Sequence, residues 1–459
     1  MRCFTDNKHS MLESIKIKKL FGLFDYHITL DTSENITILT GPNGYGKTTI
    51  LNIIYHFFNQ QFFYFQKLNF ESISFEFSES KSMELTKKRK QATSTNKPLT
   101  PIDSKVYIDI HINFFDSEKK IGTFIYDSEL RELIANELKN FFSLRQIEED
   151  LWINTRTNEK ISLNNFLNIY KEQLPEHFLS LIKKKQSEEE NNPIIIFLNS
   201  LNIYLIKEQR LLHKIFGRDK EEDTFLNTIE LYAEELKKLI EEKQLKAYQI
   251  TQKLDSSFPK RLIEAKTVID EATFKERFAK LNYKQSKLQQ FGITTTEQEI
   301  PDYNTESAKV LSVYLNDSEE KLSVYDDLLT KIDLFVSIIS QKDFAFKTLQ
   351  ISSGKGFSFY QNKTLQPLSL TDLSSGEQHE VVLLYELLFK TAPNALILID
   401  EPEISLHVIW QKAFIDDLKK IGELKKISFL VSTHSPQIIN NYWGLTRDLF
   451  ELSNAKEHE

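Results

Sequence analysis

Residues 36–58 read ITILTGPNGYGKTTILNIIYHFF. The apolar run Ile36–Thr40 enters a loop punctuated by glycine, and an apolar-rich segment leaves it. Strand, loop, helix is the setting in which G-x-x-x-x-G-K-[ST] is a phosphate loop and not a chance run of glycines. GPNGYGKT at 41–48 matches that pattern. Glycines let backbone N–H groups converge on phosphate oxygens, and the following helix presents its N-terminus to the same charge. Nucleotide contacts are therefore expected from Gly41, Pro42, Asn43, Gly44, Tyr45, Gly46, Lys47, Thr48 and Thr49. Lys47 is expected to bridge the β and γ phosphates of ATP, and Thr48 to offer its hydroxyl to Mg²⁺.

Two further apolar runs end in chemistry. In ALILIDE (395–401), four of the five residues before Asp400 are Leu or Ile, so the acid sits at the mouth of a buried strand. Asp400 is expected in the Mg²⁺ shell, with Glu401 beside it to orient and deprotonate the attacking water. ISFLVSTHSP (427–436) is a second buried strand, and it delivers His434 to the same sheet edge. Short apolar strands that do not alternate, set between helices, argue for an α/β fold whose sheet is covered on both faces.

Together these motifs resemble the ABC-type ATPase superfamily, in the branch with SMC, RecF-like and OLD-like proteins. The resemblance covers about residues 11–75 and 365–445. It implies an ABC-type head of mixed β-sheets flanked by helices, with an inserted helical arm. It further implies that LSSGEQ (373–378) is the signature loop. There Ser374, Ser375 and Gly376 would contact the γ phosphate bound by the opposite subunit, with Ser375 standing where many relatives have glycine. EPEISLH (401–407) matches the loop that communicates between the two sites, and His434 the switch histidine. Gln209 in KEQRLL matches the Q-loop glutamine, a ligand of nucleotide and Mg²⁺. The implied assembly is a head-to-head homodimer, or a larger even-numbered oligomer, with ATP sandwiched between the heads.

The run LSSGEQHEVVLLYELLF…NALILIDEPEISLHVIWQ…STHSPQIIN, with LDSSFPKRL at 254–262, is similar to the ATPases of Septu anti-phage systems and of some retrons. That implies a separate HNH nuclease as partner and, in the retron form, a reverse transcriptase with its RNA–DNA hybrid. The roughly 15 residues after Trp443 leave no room for a C-terminal Toprim nuclease domain, so cleavage is expected from another chain. The segment from Gln209 to the signature loop is too short for a long SMC coiled coil. Two other readings stand beside the defence one: a RecF- or SMC-like DNA repair ATPase, and a nucleotide-gated scaffold with little turnover.

Elsewhere the chain offers plainer signals. Ser14–Ile17, Asp25–Leu30 and Phe70–Phe77 read as strands, and Val106–Phe114 with Lys120–Tyr126 as a strand pair. Residues 79–104 are polar and read as a long surface loop, whose run Lys87–Lys90 is either a solvated tip or a contact for a phosphate backbone. Lys183–Lys185 is a second such candidate. Helical patterns fill about 128–185. Residues 221–342 suggest a compact arm of two to four helices, with Pro259 interrupting one helix or starting another. Gly356–Tyr360 starts a hairpin. The aromatic run FFNQQFFYFQKLNF (57–70) is read as core or as a partner interface. His407 and His379 suit capping or helix-surface roles. The expected lobes are 1–210 and 351–459, with the arm at 211–350.

The composition is compatible with all of this. A chain of 459 residues, 40% hydrophobic and 27% charged, suits two or three globular domains. No stretch looks like a bilayer span or a secretory signal. The single cysteine, Cys3, excludes an internal disulfide or a Cys-cluster metal site and suits a reducing cytoplasm. A net charge of -8 argues against wholesale coating of nucleic acid, while a local basic face remains open.

Overall fold

The computed structural model describes residues 10–91, 106–142, 144–148, 151–154, 160–162, 179, 189–207, 211–215, 224–265, 268–294, 303–342 and 344–454. The chain divides into two compact units. The first comprises Met1–Gln209, Lys214–Phe225 and Thr391–Glu459; the second comprises Arg210–His213 and Leu226–Lys390. Its class is α/β with an inserted helical segment, as the motifs imply. The unit boundary after Lys390 falls inside the expected lobe 351–459, so residues 373–378 belong to the second unit.

Two large sheets make up most of the first unit's described strands. β1 (Leu12–Leu20) and β2 (Phe24–Thr29) join β4 (Ser72–Phe77), β5 (Lys81–Gln91), β6 (Val106–Asp116) and β7 (Lys119–Tyr126) in a six-stranded antiparallel sheet ordered β2-β1-β4-β5-β6-β7. β4 shows how one face is committed to the core: in SISFEF, Ile73, Phe75 and Phe77 are buried and their neighbours are not. The other sheet is parallel and runs β11 (Ile203–Ile206), β17 (Leu396–Asp400), β18 (Ser428–Ser432), β3 (Ile36–Thr40), β19 (Thr446–Asp448). Its central strands are buried nearly throughout, which is why their sequences do not alternate.

Helix α1 (Lys47–Phe58) packs on both sheets. Its Phe57 ring stacks on Phe75 at 4.1 Å, and Phe58 meets Phe77 edge-on at 5.9 Å. Phe62 and Phe65 are buried beside them, the second in the short helix α2 (Phe63–Lys67), so the aromatic run is largely core.

Two stretches correct the sequence reading. Residues 81–91 form β5, paired along its whole length with β4 and β6, and not a loop. Only Met83 and Leu85 show the alternation, and the lysines that follow hide it; the rest of the buried face comes from the partner strands. After α3 (Ser128–Phe142), the expected helical region holds three short strands, β8 (Leu144–Glu148), β9 (Leu151–Asn154) and β10 (Lys160–Ser162), in one antiparallel sheet. Trp and Ile in LWIN favour a pleated surface over a helix. The apolar run at 194–198 is helical: α4 (Pro193–Asn199) has Pro at its start, and Asn192 accepts the Ile194 N–H at 3.0 Å.

Two short strands, β12 (Leu212–Ile215) and β13 (Thr224–Asn227), precede the helical part of the second unit. That part contains α5 (Thr228–Glu264), α6 (Glu271–Gln290), α7 (Ala308–Ser323) and α8 (Asp326–Gln341). α5 runs through Pro259 without stopping. Carbonyls in the turn before Pro259 gain side-chain donors: Ser256 and Ser257 donate to Lys253 O at 2.9 Å each, and Arg261 Nη2 donates to Leu254 O at 2.6 Å. Phe274, Phe278 and Leu281 of α6 close a core with Leu311 and Leu315 of α7. β14 (Lys347–Ser352), β15 (Gly356–Gln361) and β16 (Pro367–Leu368) form a three-stranded antiparallel sheet, and α9 (Ser375–Tyr385) continues into a π-helical turn, Glu386–Lys390. Tyr385 stacks on Tyr232 at 4.6 Å, tying α9 to α5. Among the described residues no helix is long and apolar enough to cross a membrane.

Candidate active site

The parallel register aligns the C-terminal ends of β3, β17 and β18: Asp400 pairs with Ser432, and Ser432 with Leu39. Each strand runs out into a loop at that edge, so residues nearly 400 positions apart meet there.

The loop after β3 needs glycine. Gly41, Gly44 and Gly46 have φ of 136°, 86° and 87°, backbone that L side chains rarely adopt. At Gly46, a Cβ would also press on Leu20 Cδ2 and Phe21 Cε2 at 3.2 and 3.3 Å. Tyr45 is held from both directions. Its carbonyl accepts the Tyr26 hydroxyl at 2.8 Å, and its ring packs against Phe24 and Phe450 at 5.1 and 5.8 Å.

Lys47 opens α1 and is buried. Its ammonium donates to Gly41 O at 2.9 Å and contacts His434 Nε2. Burial lowers its pKa below the ordinary lysine value, against the pull of Glu401, Asp400, Glu403 and Asp448. Thr48 Oγ1 donates to Asp400 Oδ1 at 3.1 Å. Asp400 is also bound by the fully buried hydroxyl of Ser432. Glu401 stands in the left-handed region at φ 42°, ψ 58°, a conformation that costs a non-glycine residue about 1–2 kcal/mol. Its N–H donates to Ser432 O at 3.0 Å, and its Oε1 lies 3.9 Å from His434 Nε2. The His434 backbone N–H donates to Glu403 Oε1 at 2.7 Å.

Lys47, Thr48, Asp400, Glu401 and His434 therefore converge. Ser432, Glu403 and Tyr26 join them without having been expected. Glu403 was visible in the motif EPE, two residues past Glu401. Ser432 was hidden as one more residue of a buried strand, and Tyr26 belongs to a strand with no motif of its own. His407 caps α10 (Val408–Gln411) by accepting the Ile409 N–H at 3.4 Å. His379 Nδ1 lies 2.7 Å from Ser375 O.

The segment Leu373–Gln378 lies in the second unit. Ser374 is the N-cap of α9 in a capping box with Glu377. Gln378 Nε2 donates to Leu373 O at 2.8 Å, closing the loop on itself.

Gln209 and Lys183–Lys185 lie outside the described residues. In the run Lys87–Lys90, only Lys88 and Arg89 are exposed. Lys87 is turned inward onto the carbonyl of Leu68 and over the Phe70 ring, and Lys90 pairs with Asp127 and Glu129.

A hydroxyl beside a carboxylate oxygen, Thr48 with Asp400, is a donor set that a hard divalent cation accepts. No group of three or more His, Cys, Asp or Glu side chains suited to a metal ion occurs among the described residues. Such a cation would thus be held by Thr48 and Asp400 together with substrate phosphates, the usual arrangement for Mg²⁺.

A family model described as AAA ATPase domain matches residues 11–439. No curated protein matches the chain. Among solved structures, it is similar to the SMC head domain with an extended coiled coil bound to the C-terminal domain of ScpA, from Pyrococcus furiosus. The identity is 12%, with 94% of this chain and 91% of that one covered and a TM-score of 0.33. The SMC head domain from Thermotoga maritima is 10% identical over 93% of this chain and 90% of that one, with a TM-score of 0.31.

Proposed function

The chain belongs to the AAA ATPase domain family, whose members bind and hydrolyse ATP, and from that premise we propose a Mg²⁺-dependent ATPase head that works in pairs. The observation that supports this most is the meeting of Lys47, Thr48, Asp400, Glu401 and His434 at one sheet edge.

Each side chain has one task in this reading. The loop N–H groups and Lys47 bind the β and γ phosphates. Thr48 and Asp400 hold the cation, which supplies positive charge to the phosphate oxygens when bound. Glu401 accepts the proton of the attacking water, and His434 stands by to contact the γ phosphate. Ser432 fixes the Asp400 carboxylate and Glu403 fixes the His434 backbone. Ser374, Ser375 and Gly376 meet the nucleotide held by a second copy, so ATP becomes part of the interface and its hydrolysis releases the pair. Gln209 belongs to the same nucleotide shell.

Glu401→Gln tests the chemistry. It removes the base and keeps the shape, so turnover falls by about 100-fold or more while ATP binding persists. Unchanged turnover in that variant would remove Glu401 from the mechanism. Loss of binding as well would make it a ligand residue.

The setting we infer is a nucleotide-gated machine of the SMC and RecF kind acting on DNA. A finer reading rests on the run LSSGEQHEVVLLYELLF and its continuation through STHSPQIIN: a defence ATPase controlling a partner HNH nuclease, with or without a reverse transcriptase and its RNA–DNA hybrid. Co-expression with chromosomal neighbours and native mass spectrometry separate the two. An even-numbered ATPase assembly carrying a small HNH protein selects the defence reading. A bare ATPase pair eliminates it and leaves DNA maintenance.

A further inference from the structure

A loop that receives phosphate gains from a helix N-terminus and loses from a carboxylate on the same turn. The first two turns of α9 carry two such carboxylates, Glu377 and Glu380, and both are nearly fully buried. Each is met by a lysine from outside the helix. Lys347, at the start of β14, donates to both Glu377 oxygens, at 2.7 and 2.9 Å. Lys342, just past α8, pairs with Glu380 at 2.8 Å, with the two side chains 3% and 1% exposed. One short connection between α8 and β14 thus supplies both counter-charges.

Glu377 is not free to leave. Its Oε2 accepts the Ser374 N–H at 2.7 Å, and its own N–H donates to Ser374 Oγ at 3.3 Å. This capping box sets the turn of the loop and places a carboxylate against it. The box itself needs no cation, since glutamine serves as well as glutamate at that position. What Lys347 adds is charge.

We propose that Lys347 is a positioning residue for the signature loop: by neutralising Glu377 it lets the loop keep its cap and still accept the phosphate of a second copy's nucleotide. This rests on the proposed pairing of heads through Ser374–Gly376.

The test compares Lys347→Met, Glu377→Gln and the double variant in the full-length chain. The readouts are ATP-driven pairing by light scattering, steady-state turnover, and the affinity of the unpaired chain for a fluorescent ATP analogue. Lys347→Met is expected to lower pairing and kcat about tenfold or more, because it leaves a carboxylate uncompensated on the turn proposed to meet phosphate. Its analogue affinity stays unchanged. The double variant recovers most of the loss, since a neutral cap needs no partner. If the double variant is as impaired as Lys347→Met, the lysine is a structural brace and the proposal fails; an unimpaired Lys347→Met overturns it too. Should Lys347→Met not fold, Glu377→Gln alone decides: an excess lysine charge tightens pairing at low salt, and weaker pairing refutes the idea. Ser374→Arg serves as the control on the underlying reading. If it leaves pairing and turnover intact, the signature loop does not meet nucleotide at all, and that reading falls first.

Discussion

The Lys342–Glu380 pair allows a sharp stability experiment. With side chains 3% and 1% exposed, neither charge reaches solvent. Glu380→Ala therefore takes a carboxylate partner from a buried ammonium, and breaking one half of such a pair costs about 3–5 kcal/mol. Replacing both, as Lys342→Met with Glu380→Leu, removes the charges and fills similar volume. That change is expected to be neutral or stabilising by about 1–4 kcal/mol, because the desolvation of both ions disappears. With a urea slope of about 2 kcal/mol/M, the single variant lowers the midpoint by about 1.5–2.5 M. The sequence provides two probes. The three tryptophans, Trp152, Trp410 and Trp443, all belong to the first unit, whereas the four long helices α5–α8 lie in the second. Far-UV circular dichroism should thus carry the shift in Glu380→Ala, with tryptophan fluorescence as the comparison. A single variant that moves the midpoint by less than about 0.5 M, or a double variant worse than the single, would refute the buried-charge argument.

Two further outcomes are expected. A Cβ on Gly356, at φ 69°, would sit 1.9 Å from Ala233 O and 2.9 Å from Lys237 N, both backbone atoms of α5. Gly356→Ala should cost about 2–5 kcal/mol from strain and overpacking, read as an earlier dichroism transition. Asp31 has its pKa lowered, chiefly by the Glu34 N–H at 2.8 Å and then by the hydroxyl and N–H of Ser33, against the opposing effect of burial. A carboxylate with a depressed folded pKa contributes stability above its unfolded value of about 3.9, and loses it as pH falls through the lower folded value. Asp31→Asn keeps an acceptor but no titrating group, so the melting temperature should fall less steeply below about pH 4 than in the parent chain.

The site was legible where an apolar run and a chemically committed residue coincide. Ile36–Thr40 leads to Lys47 and Thr48, Leu396–Ile399 to Asp400 and Glu401, and Phe429–Ser432 to His434. A buried parallel strand must be apolar on both faces, so its polar end stands out. The supporting residues lack that contrast. The hydroxyl of Ser432 looks like any small residue in a strand until it bonds to Asp400. Lys347 and Glu377 are 30 positions apart, and only the fold joins them. β5 was missed for the opposite reason. A strand between two others can draw most of its buried face from them, so KSMELTKKRKQ needs only Met83 and Leu85 of its own.

The topology also explains where the second unit sits in the chain. β11 and β17 are parallel neighbours, paired from Ile203–Leu396 to Ile206–Ile399. Parallel neighbours need a crossover connection, usually a single helix. Here nearly the whole second unit is that crossover, since the chain leaves β11 and returns at Thr391. β17 ends in Asp400, and Glu401 follows it. Leu373–Gln378 and the carboxylates Asp400 and Glu401 thus lie on one continuous stretch of chain, α9, its π-helical turn and β17. A π-turn is an extra residue held in a helix, a feature frequent at functional sites. It lies here between the helix whose N-cap is Ser374 and the strand that ends in Asp400. The π-helical turn and the five residues that follow it are all the chain that separates α9 from β17.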